Sequence, residues 1–208
     1  KIRTMKKIIF ASSYLVYSSD QYLSKKSNKA YRLNENSSLR PRNLIGASKL
    51  YHESELKFFS NFRADISISC ARIFRGYGLG SRDIISRWIR DLIRKKTINV
   101  YGVNSSFDFI YCKDTAESLL KMINLNHRFK VINVGFGNTV KINKILKILK
   151  NQFKNIKQNK SQNSKEIENS FADISYLKNN TKLKLDYDIS KGIKEMIEYE
   201  KKRIKHSN

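Results

Sequence analysis

The side chains that could do chemistry in this 208-residue chain fall in four short segments. They carry hydroxyl, ammonium, carboxylate and guanidinium groups, which are the groups that move protons and bind anions. In chain order the segments are Ser12-Ser13-x-x-Val16-Tyr17; Pro41-x-x-x-Ile45-Gly46-Ala47-Ser48-Lys49-x-x-x-Glu53; Arg72-Ile73-Phe74-x-x-Tyr77-Gly78; and Val100-Tyr101-Gly102 followed by Phe107-Asp108-Phe109-Ile110-Tyr111-Cys112-Lys113-Asp114.

Histidine and cysteine show no pattern typical of a metal site or a disulfide framework. The three histidines, His52, His127 and His206, are scattered, and Cys70 lies far from Cys112. Zinc sites need closely spaced ligands, and disulfide-rich domains need more cysteines. The expected compartment is therefore the reducing cytoplasm.

The chain is strongly basic, with 42 Lys and Arg against 18 Asp and Glu and a net charge of +24. Such a charge is typical of proteins that bind polyanions. The lysines are spread along the whole chain, however, and the densest basic runs are only Arg94-Lys95-Lys96 and Lys201-Lys202-Arg203. This spread favours a diffuse surface charge over a nucleic-acid-binding surface. Nucleotide sugars are anionic too, so a basic site alone does not indicate nucleic acid.

Membrane and secretory segments are not predicted. Charged or polar residues interrupt every apolar run well short of the ~20 residues that a membrane span needs. The basic stretch at residues 1–7 is followed by only a short apolar run, Ile8–Ala11. A secretory signal needs a longer one.

Strands alternate with helices along the chain, which predicts an α/β fold with a parallel sheet. Polar stretches at Ser18–Arg42 and Gln158–Asn169 are predicted to be loops. Asn43 is the expected cap of a helix whose apolar residues Ile45, Leu50, Leu56 and Phe59 share one side. The predicted strands are Lys7–Ala11, Asp65–Arg72, Ile98–Tyr101, Phe107–Tyr111 and Lys130–Val134, and the predicted helices are Asn43–Phe62, Asp83–Lys96, Asp114–Asn124, Lys141–Phe153 and Ile189–Ile204.

Together the four segments closely resemble the extended short-chain dehydrogenase/reductase family, the NAD-dependent epimerases and dehydratases of nucleotide sugars. Ile132-Asn133-Val134-Gly135 and Ala172-Asp173-Ile174-Ser175 extend the resemblance towards the end of the chain. It implies the C-terminal part of a Rossmann-like parallel sheet plus a small substrate-binding α/β lobe. Residues 1–75 would form the partial Rossmann-like domain. Residues 76–208 would be mainly the lobe, with segments near 107–135 returning to the sheet.

The resemblance also assigns roles around the reacting atoms. Ser13 matches the family's catalytic serine, and Lys49 matches the lysine that assists proton transfer and holds the nicotinamide ribose. Ser12 and Ile73 would also contact the cofactor, NAD or NADP. The family's catalytic tyrosine lies four residues before this lysine, and here that position is Ile45. An isoleucine neither donates nor accepts a proton, so the resemblance predicts impaired catalysis.

Two further departures concern the substrate diphosphate. The family often has asparagine at position 75 and arginine at position 107, whereas this chain has Arg75 and Phe107. Arg75 could supply the charge that Phe107 lacks, because guanidinium pairs well with phosphate. Arg82 and Arg87 are further candidates. All three arginines also fit an ordinary surface position.

The sequence contains no G-x-x-G-x-x-G motif, which in this family cradles the dinucleotide phosphates. The first three βα units of the family pattern are missing as well. The resemblance thus predicts an N-terminally truncated member in which cofactor binding is weak. A nucleotide sugar is the expected ligand, and a homodimer is compatible with the family.

Three functional interpretations remain open at this point. The first is a nucleotide-sugar epimerase or reductase. It is preferred over a dehydratase because Tyr14-Leu15 follows Ser13, where dehydratases usually have Asp-Glu. The second is a non-catalytic protein that binds sugar nucleotides. The third, and weakest, is a basic nucleic-acid-binding protein.

Overall fold

The computed structural model describes residues 5–24, 29–160 and 167–205. Strands and helices are numbered here in chain order. The strands are β1 (Lys7–Ser13), β2 (Leu23–Ser24), β3 (Tyr31–Leu33), β4 (Ser67–Ile73), β5 (Arg75–Tyr77), β6 (Ile98–Val100), β7 (Ser106–Phe107), β8 (Phe109–Tyr111), β9 (Phe129–Val134), β10 (Val140–Lys141), β11 (Gln158–Lys160) and β12 (Ile167–Ala172). The helices are α1 (Leu44–Ser60), α2 (Ile84–Ile93), α3 (Cys112–Ile123), α4 (Ile142–Gln152), α5 (Ser175–Thr181) and α6 (Ile189–Lys205).

A parallel sheet in the order β1-β4-β9 forms the Rossmann-like part of the fold. Its register places Ser13 beside Ile73, and Ile73 beside Val134. The carboxyl ends of all three strands therefore meet at one edge, which we call the carboxyl edge. In open α/β sheets this is the edge where ligands bind. The predicted fold class, a Rossmann-like α/β fold with a parallel sheet, is confirmed.

A second group of strands and helices builds the other part of the structure, whereas α1, α3 and α5 pack against the first sheet. Strands β10, β7, β12 and β2 form a second sheet in which β3 also pairs with β12. Helices α2, α4 and α6 pack around a core that includes Trp88, Ile145 and Met196. Strand β9, in the region predicted to return to the first sheet, pairs with β4. The proposed division at residue 75 stays a prediction.

Helix α1 begins as predicted, but its predicted apolar side is only partly buried. The Asn43 side chain accepts a hydrogen bond from the Gly46 N–H, as its capping role requires. The fully buried positions of the helix are Gly46, Glu53 and Ser60, and three of the four predicted apolar residues, Leu50, Leu56 and Phe59, are half-buried. The fourth, Ile45, is 62% exposed, so the prediction is wrong for this residue.

The predicted loop at Gln158–Asn169 is wrong where the structure describes it. Residues 158–160 form β11, and Ile167–Ala172 form β12; residues 161–166 lie outside the described residues. The polar side chains of β12 are satisfied inside the protein. For example, Asn169 Oδ1 accepts hydrogen bonds from the Ser106 N–H and hydroxyl. A strand whose polar groups have buried partners gives no hydrophobic pattern in the sequence.

The predicted loop at Ser18–Arg42 likewise contains short strands. Residues Leu23–Ser24 and Tyr31–Leu33 both pair with β12. Residues 25–28 of this segment lie outside the described residues. Strands of two or three residues are too short for an alternating pattern to be recognised.

Asp108 fixes the second sheet to the carboxyl edge. Its buried carboxylate accepts backbone N–H bonds from Phe136 at 2.7 Å, and from Gly137 and Ala172 at 2.9 Å. Burial raises the pKa of Asp108 to about 6, and the three donors act against that rise. One side chain thereby joins the turn after β9 to the end of β12.

Lysines dominate the exposed face of α4, whose other face packs into the core. Lys144, Lys147 and Lys150 are all exposed, and the helix contains no Asp or Glu. The basic charge is thus locally concentrated here, which the scattered lysines of the sequence did not indicate. No helix among the described residues is long and apolar enough to cross a membrane.

Candidate functional site

The carboxyl edge begins with the two serines that end β1. The Ser13 hydroxyl accepts a hydrogen bond from the Leu15 N–H at 3.2 Å and so caps a short 3₁₀ turn at Tyr14–Val16. The Ser12 hydroxyl, by contrast, donates to the Glu53 carboxylate and is buried. Of the two predicted cofactor or catalytic serines, Ser12 is therefore part of the internal framework, and Ser13 lies at the strand end.

A buried ion pair between Arg72 on β4 and Glu53 on α1 stabilises the strand ends that form this edge. Arg72 Nε lies 3.0 Å from Glu53 Oε1, and Arg72 Nη2 lies 2.7 Å from Glu53 Oε2. Both side chains are at most 5% exposed. The two parallel hydrogen bonds connect α1 to β4, and Ser12 adds β1 to the same carboxylate.

The polar network continues across the sheet to β9. The Arg72 guanidinium lies over the Tyr17 ring, 4.8 Å from its centroid. The Tyr17 hydroxyl donates to Asn133 Oδ1 at 2.6 Å, and Asn133 Nδ2 donates to the Leu33 carbonyl at 2.9 Å. Burial raises the pKa of Tyr17 to about 12, so this phenol stays neutral. Its role is structural.

The Lys49 side chain reaches the backbone near the end of β1, and its role at the cofactor stays a prediction. Its ammonium donates to the Ala11 carbonyl at 2.8 Å and lies 4.9 Å from the centre of the Phe10 ring. Ala11 is two residues before Ser13, so both matched residues lie at the same strand end. One helical turn before Lys49, Ile45 presents an exposed aliphatic side chain.

Two other tyrosines could replace the missing phenol, but neither environment favours a phenolate. The Tyr14 hydroxyl donates to Glu168 Oε1 at 3.1 Å, and burial raises its pKa. Tyr51 is 60% exposed, and its hydrogen bond to Glu55 also raises its pKa. A general base needs the opposite shift.

Arg75 belongs to a cluster that the sequence did not indicate. Its guanidinium lies over the Phe107 ring, 3.8 Å from the centroid, and 3.2 Å from Glu168 Oε2. Arg42, just before the cap of α1, lies 2.9 Å from the same carboxylate oxygen. Arg42 and Glu168 are 126 residues apart, so no local signal could have paired them.

The remaining predicted site residues lie outside these contacts. Ile73 is half-buried at the end of β4 and packs against the apolar core beneath the sheet. Arg82 and Arg87 are exposed, and within the described ranges neither side chain has an ion-pair or hydrogen-bond partner. The structure thus places Ser13 and the Lys49 ammonium near the same end of β1 without a contact between them, groups Arg75 with Arg42, and leaves Arg82 apart.

The sequence matches a family model described as the NAD dependent epimerase/dehydratase family over residues 1–135. The chain belongs to this family. No curated protein matches the sequence. The family assignment agrees with the resemblance found in the four sequence segments.

Solved structures of similar fold include several nucleotide-sugar enzymes. MoeE5 in complex with UDP-glucuronic acid and NAD has a TM-score of 0.81 at 22% identity, over 95% of this chain and 66% of that chain. UDP-N-acetylglucosamine 4-epimerase from Methanobrevibacter ruminantium has a TM-score of 0.78 at 25% identity, over 95% and 64%. RMD from Pseudomonas aeruginosa, complexed with NADPH, has a TM-score of 0.82 at 20% identity, over 95% and 67%. This family member therefore spans about two thirds of the length of these proteins.

Glu53→Ala should strongly destabilise the fold, because it leaves the Arg72 charge buried without its partner. The expected loss in the free energy of unfolding is about 3–5 kcal/mol. Glu55→Ala is the matched control on the same helix. Glu55 pairs with His52 on the exposed surface, where ion pairs contribute little. Urea unfolding followed by circular dichroism measures both, and equal midpoints for the two variants would contradict the structural role of Glu53.

Proposed function

We propose that the carboxyl edge binds the diphosphate of a nucleotide sugar through Arg75. The stacking of the Arg75 guanidinium on Phe107 carries this proposal. Family members often have the diphosphate-binding arginine at position 107. In this chain the arginine is at position 75 instead, and its guanidinium contacts the side chain at position 107. The exposed side-chain fraction of Arg75 is 33%, which leaves the guanidinium accessible to a ligand.

A dinucleotide cofactor fits this chain only in part. Ser13 and Lys49, at the end of β1, suit the nicotinamide end of NAD or NADP. The cradle for the phosphates is a glycine-rich turn at a helix N-terminus, and the sequence contains no such motif. The residues present therefore do not hold a whole dinucleotide.

The proposed reaction class is epimerisation or reduction of a nucleotide sugar, with catalysis impaired at position 45. Ser13 would hydrogen-bond the reacting sugar oxygen, and Lys49 would provide a positive charge beside it. No group at position 45 can take or return the proton. The alternative is a protein that binds sugar nucleotides without turnover. The missing phenol supports both an impaired enzyme and such a binding protein.

Ile45→Tyr should raise turnover by about 10²–10⁴-fold in the chain joined to a complete N-terminal Rossmann half, because it restores a proton-transfer group. Position 45 is exposed, so the larger side chain fits without repacking. Ile45→Phe is the matched control, since it adds the ring without the hydroxyl. Turnover of a panel of UDP- and dTDP-sugars is the measurement. Full activity with Ile45 in place would contradict the proposed impairment.

Arg75→Gln should weaken binding of UDP-glucose at least about tenfold, because a charged hydrogen bond to phosphate is lost. Arg82→Gln removes the same charge from an exposed arginine and should leave the affinity unchanged. Isothermal titration calorimetry on both variants measures the two dissociation constants. A loss of affinity in Arg82→Gln alone would transfer the diphosphate site to the loop before α2.

We also propose that a second copy of the chain covers the outer face of α1. Leu44, Tyr51 and Phe58 follow one another at seven-residue spacing, and Phe62 continues the same face. Their exposed fractions run from 60% to 88%. Apolar residues at seven-residue spacing are typical of helices that pack against another helix. A symmetric pair of α1 helices would bury this stripe.

Phe58→Glu should therefore convert a dimer into a monomer, because it places a charge in the centre of the apolar stripe. Leu120→Glu is the control, since Leu120 is similarly exposed but lies on α3. Light scattering coupled to size-exclusion chromatography gives the mass of each species. A monomeric parent chain would refute the dimer.

A further inference from the structure

A single carboxylate at the carboxyl edge is shared by two arginines and a tyrosine. Glu168, on β12, has a side chain that is only 8% exposed. Its oxygens lie 2.9 Å from Arg42 Nη1, 3.2 and 3.3 Å from Arg75 Nη2, and 3.1 Å from the Tyr14 hydroxyl. This glutamate thus occupies the position where the two guanidinium groups converge.

The cluster contains more donors than acceptors. Two guanidinium charges face one carboxylate, which leaves one positive charge in excess. Among the described residues, neither the buried Arg75 Nε nor the buried hydroxyl of Tyr22, whose ring lies 5.6 Å from the Arg42 guanidinium carbon, has a hydrogen-bond partner. Buried donors without acceptors are rare in folded proteins, and they favour an anionic ligand at this position.

The cluster is also accessible from solvent. The side chains of Arg42 and Arg75 are 26% and 33% exposed, in contrast to the Arg72 side chain at 3%. Tyr14 follows the end of β1, and Arg75 follows the end of β4. An anion that approaches the carboxyl edge can therefore reach both guanidinium groups.

We propose that Glu168 is a built-in competitor for phosphate: its carboxylate holds Arg42 and Arg75 in the free chain, and a ligand phosphate has to compete with it. This proposal rests on the proposed nucleotide-sugar site, and it adds a residue that lowers the affinity of that site for phosphate. Carboxylate and phosphate use the same donors of a guanidinium group. A fixed negative charge among those donors also repels an incoming anion.

Glu168→Gln removes the negative charge of the carboxylate. It keeps the shape of the side chain and an oxygen that can accept the hydrogen bond from the Tyr14 hydroxyl. It should raise the affinity for inorganic pyrophosphate at least about tenfold in calorimetry on the full chain. Glu200→Gln is a closely matched control, because Glu200 is also a buried glutamate that pairs with two arginines, Arg90 and Arg203, on α2 and α6. The Glu200→Gln variant should bind pyrophosphate with the same affinity as the parent chain. Adding Arg75→Gln to Glu168→Gln should abolish the gain.

A measurement on the unmodified chain tests the same site should Glu168→Gln fail to fold. Nuclear magnetic resonance separates the Nε–H groups of individual arginines. The Arg75 Nε–H group has no hydrogen-bond partner among the described residues, so pyrophosphate should shift its signal. The Arg72 Nε–H group donates to Glu53, so its signal should stay unchanged. An unmoved Arg75 signal at saturating pyrophosphate would overturn the proposal.

The outcomes separate this proposal from the proposed function. Equal pyrophosphate affinity in Glu168→Gln and Glu200→Gln would reject the competitor role, even if UDP-glucose binds through Arg75. Tighter pyrophosphate binding in Glu168→Gln, without any binding of UDP-sugars, would support the competitor and refute the nucleotide-sugar site.

Discussion

The buried ion pair between Arg72 and Glu53 is the interaction on which the carboxyl edge depends. It joins α1 to β4, and through Ser12 and Tyr17 it reaches β1 and the Asn133 side chain on β9. Removing two charges from water is costly, and the cost is offset only when both are hydrogen-bonded in good geometry. The same interaction fixes the helix that carries Lys49 relative to the strand that carries Ser13.

The residues at the carboxyl edge differ from the family pattern on both sides of the proposed site. The Lys49 ammonium lies near the end of β1, but Ile45, one turn before Lys49, has no ionisable group. On the proposed substrate side, Arg75 lies over Phe107 and is also bonded to Glu168. We therefore propose a family member with impaired proton transfer, in which the protein itself partly occupies the anion-binding donors.

Sequence patterns predicted most of this architecture because strand, cap and helix signals are local. The Asn43 cap and the strand that begins at Lys7 both follow from short segments, whereas the contact of Lys49 with Ala11 joins residues 38 apart and has no local signal. The Glu168 cluster could not be predicted, because its arginines come from distant segments and β12 is too polar to resemble a strand. The exposure of Ile45 could not be predicted for a related reason. The buried ion pair of Glu53 with Arg72 holds α1 against the sheet, and hydrophobic periodicity does not reveal a buried ion pair.

We propose above all that the carboxyl edge is a nucleotide-sugar site. A titration of the ¹⁵N-labelled chain with UDP-glucose, followed through its backbone amide signals, is the decisive measurement. We expect the largest shifts at Tyr14 and Leu15, after β1, and at Arg75–Tyr77, after β4. No shifts at saturating ligand, or shifts confined to the lysine face of α4, would contradict it.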